Sequence, residues 1–543
     1  MIMKNIELKN KYTKWIGGLL MVVLILQLVS CNKFLDTQPQ NVTAESNFYA
    51  NATQLNNALT GVYGILASAN VYGDNMWDAL SVATDESYYT VSTTISGVQL
   101  MNFTSSEASI ANTWADLYIG INRANLVLEN INKPVMDSTS RATIQGQALF
   151  LRAYYYFLLV SNWGDVPLKL HSSISPDSIS CPRTDAKIVY NQIVSDMTAA
   201  DSLVQPATFY GFGGRVSKTT VEGILARVCL HRAGLFTAGF STIDDRATWF
   251  AQSLYWSSKV INSGIHSLNP SYSQIFINHC QNVYDIKESM WEVMFYGTGN
   301  GNPYPQNGRV GNNSGIKCND LVYGYSYGFI AAQSKLYSSF AAADSFRRDW
   351  SIGPFSLSTT NGVTTKVPFS ATAIYTRYDG KWRREYELGN NKQKNGTSIN
   401  YPLLRYADVL LMYAEAANEV NGAPTDSAYW AINQVRRRAY KFPLNTPNVK
   451  SDVSAGLTYL AFQQAVQDER YRELCFEALR RNDLIRWGIY IPTMKTMAQQ
   501  MPAGASAMAA IAANNIQQKN VLFPIPIGEL SLNPGIGKQN AGW

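Results

Sequence analysis

Residues 147–160, Gln147-Ala-Leu-Phe-Leu-Arg-Ala-Tyr-Tyr-Tyr-Phe-Leu-Leu-Val160, are apolar almost all round a helix. A helix with no polar face has to be covered on every side, so this chain must supply further helices to pack around it. The sequence does so. Residues 107–132 place Ile110, Trp114, Leu117, Tyr118, Ile121, Ala124, Leu128 and Ile131 at three- and four-residue steps, the spacing of an amphipathic helix. Similar patterns predict helices over 53–68, 139–160, 184–203, 219–236 with Thr219 or Thr220 as cap, 246–263, 403–420, 426–440 with Asp426 as cap, and 460–487. The pair 403–440 carries small Ala residues at close-packing positions and has the size of a degenerate tetratricopeptide unit. The fold class expected is mainly α, a tetratricopeptide-like scaffold of helical pairs.

The pattern changes near residue 270. From there to 400 the chain is rich in Gly, Asn, Ser and Tyr, as in Gly297-Thr-Gly-Asn-Gly-Asn-Pro-Tyr-Pro305 and Tyr323-Gly-Tyr-Ser-Tyr-Gly328. Turn residues dominate, with strand-like pieces at 290–296 and 372–378. The organisation expected is a leader over 1–30, a helical part over 31–270, an irregular loop-rich ligand-binding subdomain over 271–400 and a second helical part over 401–543.

The leader has its own signature. Lys4, Lys9, Lys11 and Lys14 precede an apolar run from Trp15 that ends in Leu28-Val29-Ser30-Cys31. Charged start, short apolar stretch and small residues at the cut make a secretory signal. The run is shorter than the ~20 residues of a comfortable membrane span. A cysteine just after the cut is the layout of a bacterial lipoprotein, in which Cys31 would carry lipid and tether the mature chain to a membrane. An ordinary signal or an anchor helix with an incidental cysteine is the alternative reading.

Composition excludes several classes. Without residues 1–30 the formal net charge falls from +6 to +3, too little for a nucleic-acid partner. Cys181, Cys229, Cys280, Cys318 and Cys475 are an odd set without C-x-x-C spacing, and the four histidines form no i, i+4 pair. Neither a disulfide framework nor a metal site is expected. No G-x-G-x-x-G, P-loop or G-x-S-x-G occurs, so no cofactor and no catalytic residue is assigned. Glu473 and Glu477 sit one helical turn apart on the expected helix 460–487, but hydrolysis of a glycosidic bond needs its two carboxyls on opposite sides of that bond. With Arg480 and Arg481 beyond Glu477, the arrangement reads as a salt-bridged helix surface.

Aromatic residues are the better candidates for binding. The chain holds 32 Tyr and 12 Trp, and those in helices, such as Trp114 and Tyr154 to Tyr156, are assigned to the core. Tyr304, Tyr323, Tyr325 and Tyr327 lie among glycines, and the Tyr-x-Tyr-x-Tyr alternation puts three rings on one face of an extended segment. A second cluster, Trp77, Asp78, Asp85, Tyr88 and Tyr89, lies between the first two helices. Such rings can stack on the apolar face of a sugar while polar neighbours hold its hydroxyls. Local packing or a protein interface is the alternative for each residue alone.

Several segments, taken in order, resemble the SusD/RagB family of surface glycan-binding lipoproteins of Bacteroidetes. They are Cys31-Asn-Lys-Phe-Leu-Asp36; Thr60-Gly-Val-Tyr-Gly64; Phe150-Leu-Arg-Ala-Tyr-Tyr-Tyr156 leading to Trp163-Gly-Asp-Val-Pro-Leu168; Val260-Ile-Asn-Ser-Gly264; Leu404-Arg-Tyr-Ala-Asp-Val-Leu-Leu-Met-Tyr-Ala-Glu-Ala-Ala-Asn-Glu419; Glu469-Arg-Tyr-Arg-Glu-Leu-Cys-Phe-Glu477 with Asp483-Leu-Ile-Arg-Trp-Gly488; and Pro524-Ile-Pro-Ile-Gly-Glu-Leu530 with Asn533-Pro534. The resemblance implies a tetratricopeptide-like fold, a glycan ligand, a lipid anchor in the outer membrane facing the cell exterior, and a TonB-dependent SusC-like outer-membrane barrel as partner. These motifs belong to the scaffold and transfer no ligand residue. The leader departs from many surface-exported relatives in having no acidic run after Cys31.

The function expected is capture of an oligosaccharide and its delivery to the barrel, without catalysis. Alternatives are a RagB-like binder of peptides or glycopeptides, a lipid-anchored glycoside hydrolase, and a structural lid whose aromatics meet only the barrel.

Overall fold

Side-chain caps set the starts of the helices, and tertiary packing settles which of the expected helices survive. The structure, a computed structural model, describes residues 48–173, 180–234, 243–296, 308–389 and 392–543, together with Trp15. Cys31 and Tyr304 lie outside the described residues.

Helix α1 (Ala52–Tyr63) starts where Asn51 accepts from the Gln54 amide at 3.0 Å. Helices α2 (Ala108–Glu129) and α3 (Ser138–Trp163) follow. α3 contains the all-round apolar segment and is covered as that segment demands, with Tyr154, Tyr155 and Tyr156 all at most 1% exposed. α2 comes so close to α3 that a Cβ on Gly120 would stand 2.6 Å from the Tyr155 ring. α3 packs in turn on α4 (Ala186–Asp201), α4 on α5 (Lys218–Ala233), and α5 on α6 (Ile243–Asn262). The α5 cap is Ser217, not Thr219 or Thr220. Ser217 Oγ accepts from the Thr220 amide, and both threonines are buried.

The next helix along the chain is α7 (Tyr272–Gln281), but the spatial neighbour of α6 is α8 (Tyr406–Asn421). Residues 263–405 therefore leave and re-enter the helical stack between two helices that pack together. The series continues with α9 (Asp426–Ala439, capped by Thr425), α10 (Tyr459–Glu473), α11 (Arg480–Arg486), α12 (Tyr490–Gln499) and α13 (Ala507–Asn515), before a last short helix at Ile527–Leu532. Residues Asn51–Trp543 form one compact unit.

Strands are short and paired in twos. β1 (Ser87–Tyr89) pairs with β5 (Ile330–Ala332), β2 (Val166–Pro167) with β3 (Arg183–Thr184), β4 (Ser289–Val293) with β8 (Tyr401–Arg405), and β6 (Phe355–Thr360) with β7 (Val363–Pro368), all antiparallel. The β4–β8 pair is the neck of the inserted region. β8 occupies residues whose apolar run was expected to open the helix at 403. Of residues 372–378 only the end pairs as a strand would, Tyr378 bridging Ala331 and the Arg377 carbonyl accepting from the Ala332 amide at 2.8 Å, while the Arg377 guanidinium donates back to the Ser370 and Ala373 carbonyls.

The expected helix 460–487 is broken. α10 stops at Glu473, and Phe476 and Ala478 take left-handed backbone angles (φ 62° and 57°) before α11 begins. Tertiary contacts explain the break. Glu473 and Glu477 are not on a solvated helix face but buried, and their partners are not Arg480 and Arg481. Arg347, Arg405 and Arg438 reach Glu473 at 3.0, 3.0 and 2.6 Å, while Lys381 and Arg405 reach Glu477 at 2.6 and 2.7 Å. Burial pushes the Glu473 carboxyl up, and Arg438, Arg405 and Arg347 outweigh it and hold the group below its usual range. Cys475, expected in a helix, is a buried thiol in this turn.

Candidate functional site

The β1–β5 pairing brings together two aromatic clusters that are some 240 residues apart in sequence. Tyr89 lies opposite Ile330, and the Thr90 amide donates to the Phe329 carbonyl at 2.8 Å. Before β5 the chain runs extended, and its side chains alternate. Tyr323, Tyr325, Tyr327 and Phe329 are half-buried, whereas Gly324, Ser326, Gly328 and Ile330 are buried.

Four rings form a continuous row. Tyr325 meets Tyr327 edge to face at 4.9 Å, Tyr327 stacks on Phe329 at 4.9 Å, and Phe329 meets Tyr89 at 5.6 Å. Backbone bonds fix the row from beneath, with the Tyr327 and Phe329 amides donating to the Asn312 and Asn313 carbonyls at 2.7 Å each. The Tyr327 hydroxyl donates to Asn395 Oδ1 at 2.7 Å, and Lys394 Nζ stands 5.1 Å from the Tyr325 ring centre.

Tyr323 departs from the row. Its hydroxyl donates to Glu385, which is also paired with Lys366 on β7 at 2.8 Å. Gly324 makes the departure feasible, since its φ of +126° is one that side-chain-bearing residues rarely adopt and a Cβ there would lie 2.5 Å from Arg384 Cβ. Gly324→Ala should therefore lower stability by about 1–3 kcal/mol. Thermal unfolding checks this, and an unchanged midpoint would show that the turn does not need glycine.

At the Tyr89 end the row meets a polar corner. Asp74 and Asp78 flank the short helix Asn75–Asp78, and Asn313 Nδ2 donates to both carboxyls, at 2.8 and 3.1 Å. The Arg309 amide donates to the Gly73 carbonyl at 2.8 Å and its guanidinium to Asn312 Oδ1 at 3.1 Å. Burial raises the Tyr89 hydroxyl to about 12, and the Asp78 and Asp74 charges add to the shift. The hydroxyl therefore stays protonated across the physiological range and is available as a donor.

The structure thus brings Asp78, Tyr89, Tyr325 and Tyr327 into one place. It gives three other candidates internal roles. Trp77 is 5% exposed, donates its indole N–H to the Tyr72 carbonyl at 2.9 Å and stacks on Tyr401. Asp85 is fully buried between Arg480 (2.7 Å) and Lys335 (3.0 Å). These partners outweigh its burial and hold it below the usual carboxylate range. Tyr88 is buried against Leu100 and Met508, its hydroxyl donating to the Tyr375 carbonyl at 3.0 Å. The alternation along β1 sends Tyr88 inward and Tyr89 outward.

Phe329, Asp74, Arg309, Asn313, Lys394 and Asn395 enter the corner and the row without having been singled out from sequence. Only Phe329 had a local signal, since it continues the alternation beyond Gly328.

A roomier cleft of about 690 Å³ shares no residue with the row. It lies between α2 and residues 529–533. Among its lining amides, Asn125 Nδ2 donates to the Lys169 and His171 carbonyls, Asn122 Oδ1 accepts from the Ser173 amide, and Asn533 is tied to Cys181. The ring row is the better candidate, because it sets four half-buried aromatic rings side by side in unbroken contact. Among the described residues no cluster of His, Cys, Asp or Glu has the arrangement to hold a metal ion, and no helix is long and apolar enough to cross a membrane.

Fold and site define a mainly helical scaffold with an inserted region that carries a row of aromatic rings. Comparisons with known proteins identify which such scaffold this is. The C-terminal residues 356–543 match the model of the SusD family, and residues 33–230 match a model described as starch-binding associating with outer membrane. The chain belongs to the SusD/RagB family. A SusD-like protein of Formosa agariphila is 25% identical, with 96% of this chain and 97% of that protein covered. The starch-binding protein SusD of Bacteroides thetaiotaomicron is 22% identical, with 99% of this chain and 100% of that protein covered. Among solved structures, a SusD homologue from Bacteroides thetaiotaomicron superposes with a TM-score of 0.84 at 27% identity, covering 92% of this chain and 99% of that one. A laminarin-binding SusD-like protein shares the fold at a TM-score of 0.68 and 20% identity, covering 91% of this chain and 100% of that one.

Proposed function

We propose that the row Tyr325–Tyr327–Phe329–Tyr89 is the surface on which this protein captures an oligosaccharide. The observation that carries this reading is four half-exposed rings in unbroken contact, ending at a corner of Asp74, Arg309 and Asn313. Sugar rings have apolar C–H faces that pack on aromatic rings and hydroxyls that need donors and acceptors at the edge. The row supplies the first and the corner, with Asn395 and Lys394, supplies the second. Matches to starch-binding and laminarin-binding relatives favour a carbohydrate over a peptide. The carboxyls at the site sit together on one turn, at one end of the row, an arrangement that favours capture over cleavage.

The finer reading is a lipoprotein, anchored through Cys31 in the outer membrane and facing outward, that hands the glycan to a SusC-like TonB-dependent barrel. Tethering would raise the effective concentration of binder and barrel for each other. A multiply acylated cysteine would make that tether permanent, since one acyl chain anchors weakly.

A glycan array probed with residues 32–543 tests the capture reading. Retention of at least one glycan class, without product release from polysaccharides, is the expected result. Binding of peptides with no glycan retained, or release of sugar products, would overturn it. Co-purification of an outer-membrane barrel with the full-length chain, lost in Cys31→Ala, tests the anchored-partner reading.

A further inference from the structure

The polar corner contains a carboxyl group with an unmet need. Asp78 is 9% exposed, and among the described residues its Oδ1 has no hydrogen-bond partner. Its Oδ2 and Asp74 Oδ1 accept from the same nitrogen, Asn313 Nδ2, at 3.1 and 2.8 Å, which keeps those two oxygens within about 6 Å of each other. Two ionised carboxylates so close, one of them buried, repel each other strongly. A proton on Asp78 removes the repulsion and gives the otherwise unmatched oxygen a hydrogen to donate towards Asp74.

We infer that Asp74 and Asp78 hold a single proton between them at neutral pH, so that half-exposed Asp74 offers the glycan one charged acceptor, and that uptake of a second proton in mildly acidic surroundings weakens glycan binding. The second step rests on the capture reading above. The first does not.

The groups that face the pair agree with this assignment. Arg309, from the loop before Asn313, stabilises the remaining negative charge. Tyr89, from β1, stays neutral and so brings no further charge to the pair. Burial raises Asp74 to about 6, with Asn313 and Arg309 opposing the shift. Burial and then the Asp74 charge raise Asp78 well above the usual carboxylate range. The pair gains its second proton as pH falls through about 6, when a water-borne proton binds Asp74 and its charge is lost. A charged acceptor makes a stronger hydrogen bond to a sugar hydroxyl than a neutral carboxyl does, so affinity should fall about tenfold.

The test has two arms. In the ligand-free protein labelled with ¹³C-aspartate, carboxyl shifts are followed from pH 4 to 8 and assigned with Asp74→Asn and Asp78→Asn. If Asp78→Asn does not fold, Asp74→Asn alone identifies the titrating partner. One signal titrating near pH 6 and one still protonated at pH 7 is the expected result, whereas ionisation of both below pH 5 would overturn the shared proton. The glycan array is then run at pH 5 and pH 7.5, where the wild type should show about tenfold weaker retention at pH 5. Asp74→Asn should be flat with pH. Equal retention by the wild type at both pH values overturns the release step. Retention of no glycan at either pH overturns that step together with the capture reading, and the ligand-free spectra still decide the proton.

Discussion

Glu473→Ala should lower the unfolding free energy by about 3–5 kcal/mol, among the largest effects available to a single substitution in this chain. Arg347, Arg405 and Arg438 all lie within 3.0 Å of this carboxylate and all four side chains are at most 1% exposed. Removing the carboxylate leaves three buried guanidiniums with less compensating charge, a far larger penalty than the net value of any one pair. Urea unfolding measures it directly, and a loss below ~1 kcal/mol would show that Glu469, Glu477 and Glu288 absorb the charge. The Lys366–Glu385 pair, whose lysine is exposed, provides a contrast, since Lys366→Ala should cost less than ~1 kcal/mol.

The same cluster fixes the sign of an acid dependence. The folded Glu473 carboxyl lies below its unfolded value of 4.5, so its contribution is complete above that value and is lost as pH falls through the folded one. The residues involved also explain why the loss would spread. Arg405 ends β8 at the neck of the insertion, Arg438 is on α9, Glu473 closes α10, and Arg347 belongs to the inserted region. One ionic cluster pins the insertion to the scaffold.

That cluster also marks where sequence reasoning stops. The helices were legible because their apolar positions repeat at 3.6 residues, and the all-round apolar α3 required the stack that surrounds it. The break after Glu473 was not legible. Neither Phe476 nor Ala478 is a glycine or asparagine, so nothing local announces the left-handed turn. The forces that impose it come from Lys381, Arg405 and Arg438, each far away in the chain. β8 was misread for a related reason, because Tyr401-Pro-Leu-Leu-Arg405 is a short apolar run and periodicity alone does not separate a buried strand from a helix start. At the site, the alternation of Tyr with Gly and Ser disclosed the row, while Asp74, Arg309 and Asn313 converge only through folding. Tyr88 and Tyr89 are adjacent and alike in sequence, and only the register of β1 against β5 separates a core ring from a surface ring.

The second large effect concerns the row itself. The double variant Tyr327→Ala/Phe329→Ala should weaken glycan binding about a hundredfold, from roughly 1.5 kcal/mol for each ring and tenfold in affinity for each 1.4 kcal/mol. These two rings are the centre of the row, stacked at 4.9 Å, so truncating both also removes the support that Tyr325 and Tyr89 receive from their neighbours. Half-buried side chains over a backbone fixed by Asn312 and Asn313 leave room for truncation without collapse, so the thermal midpoint should shift far less than in Glu473→Ala. The informative control is Tyr88→Phe, which removes only an internal hydrogen bond and should leave glycan affinity within about twofold. If the double variant binds glycan as tightly as the wild type while Tyr88→Phe loses affinity, the ligand contacts a different face and the row serves another partner. A hundredfold loss with the fold intact would instead place the sugar on the face that the β1–β5 pairing assembles.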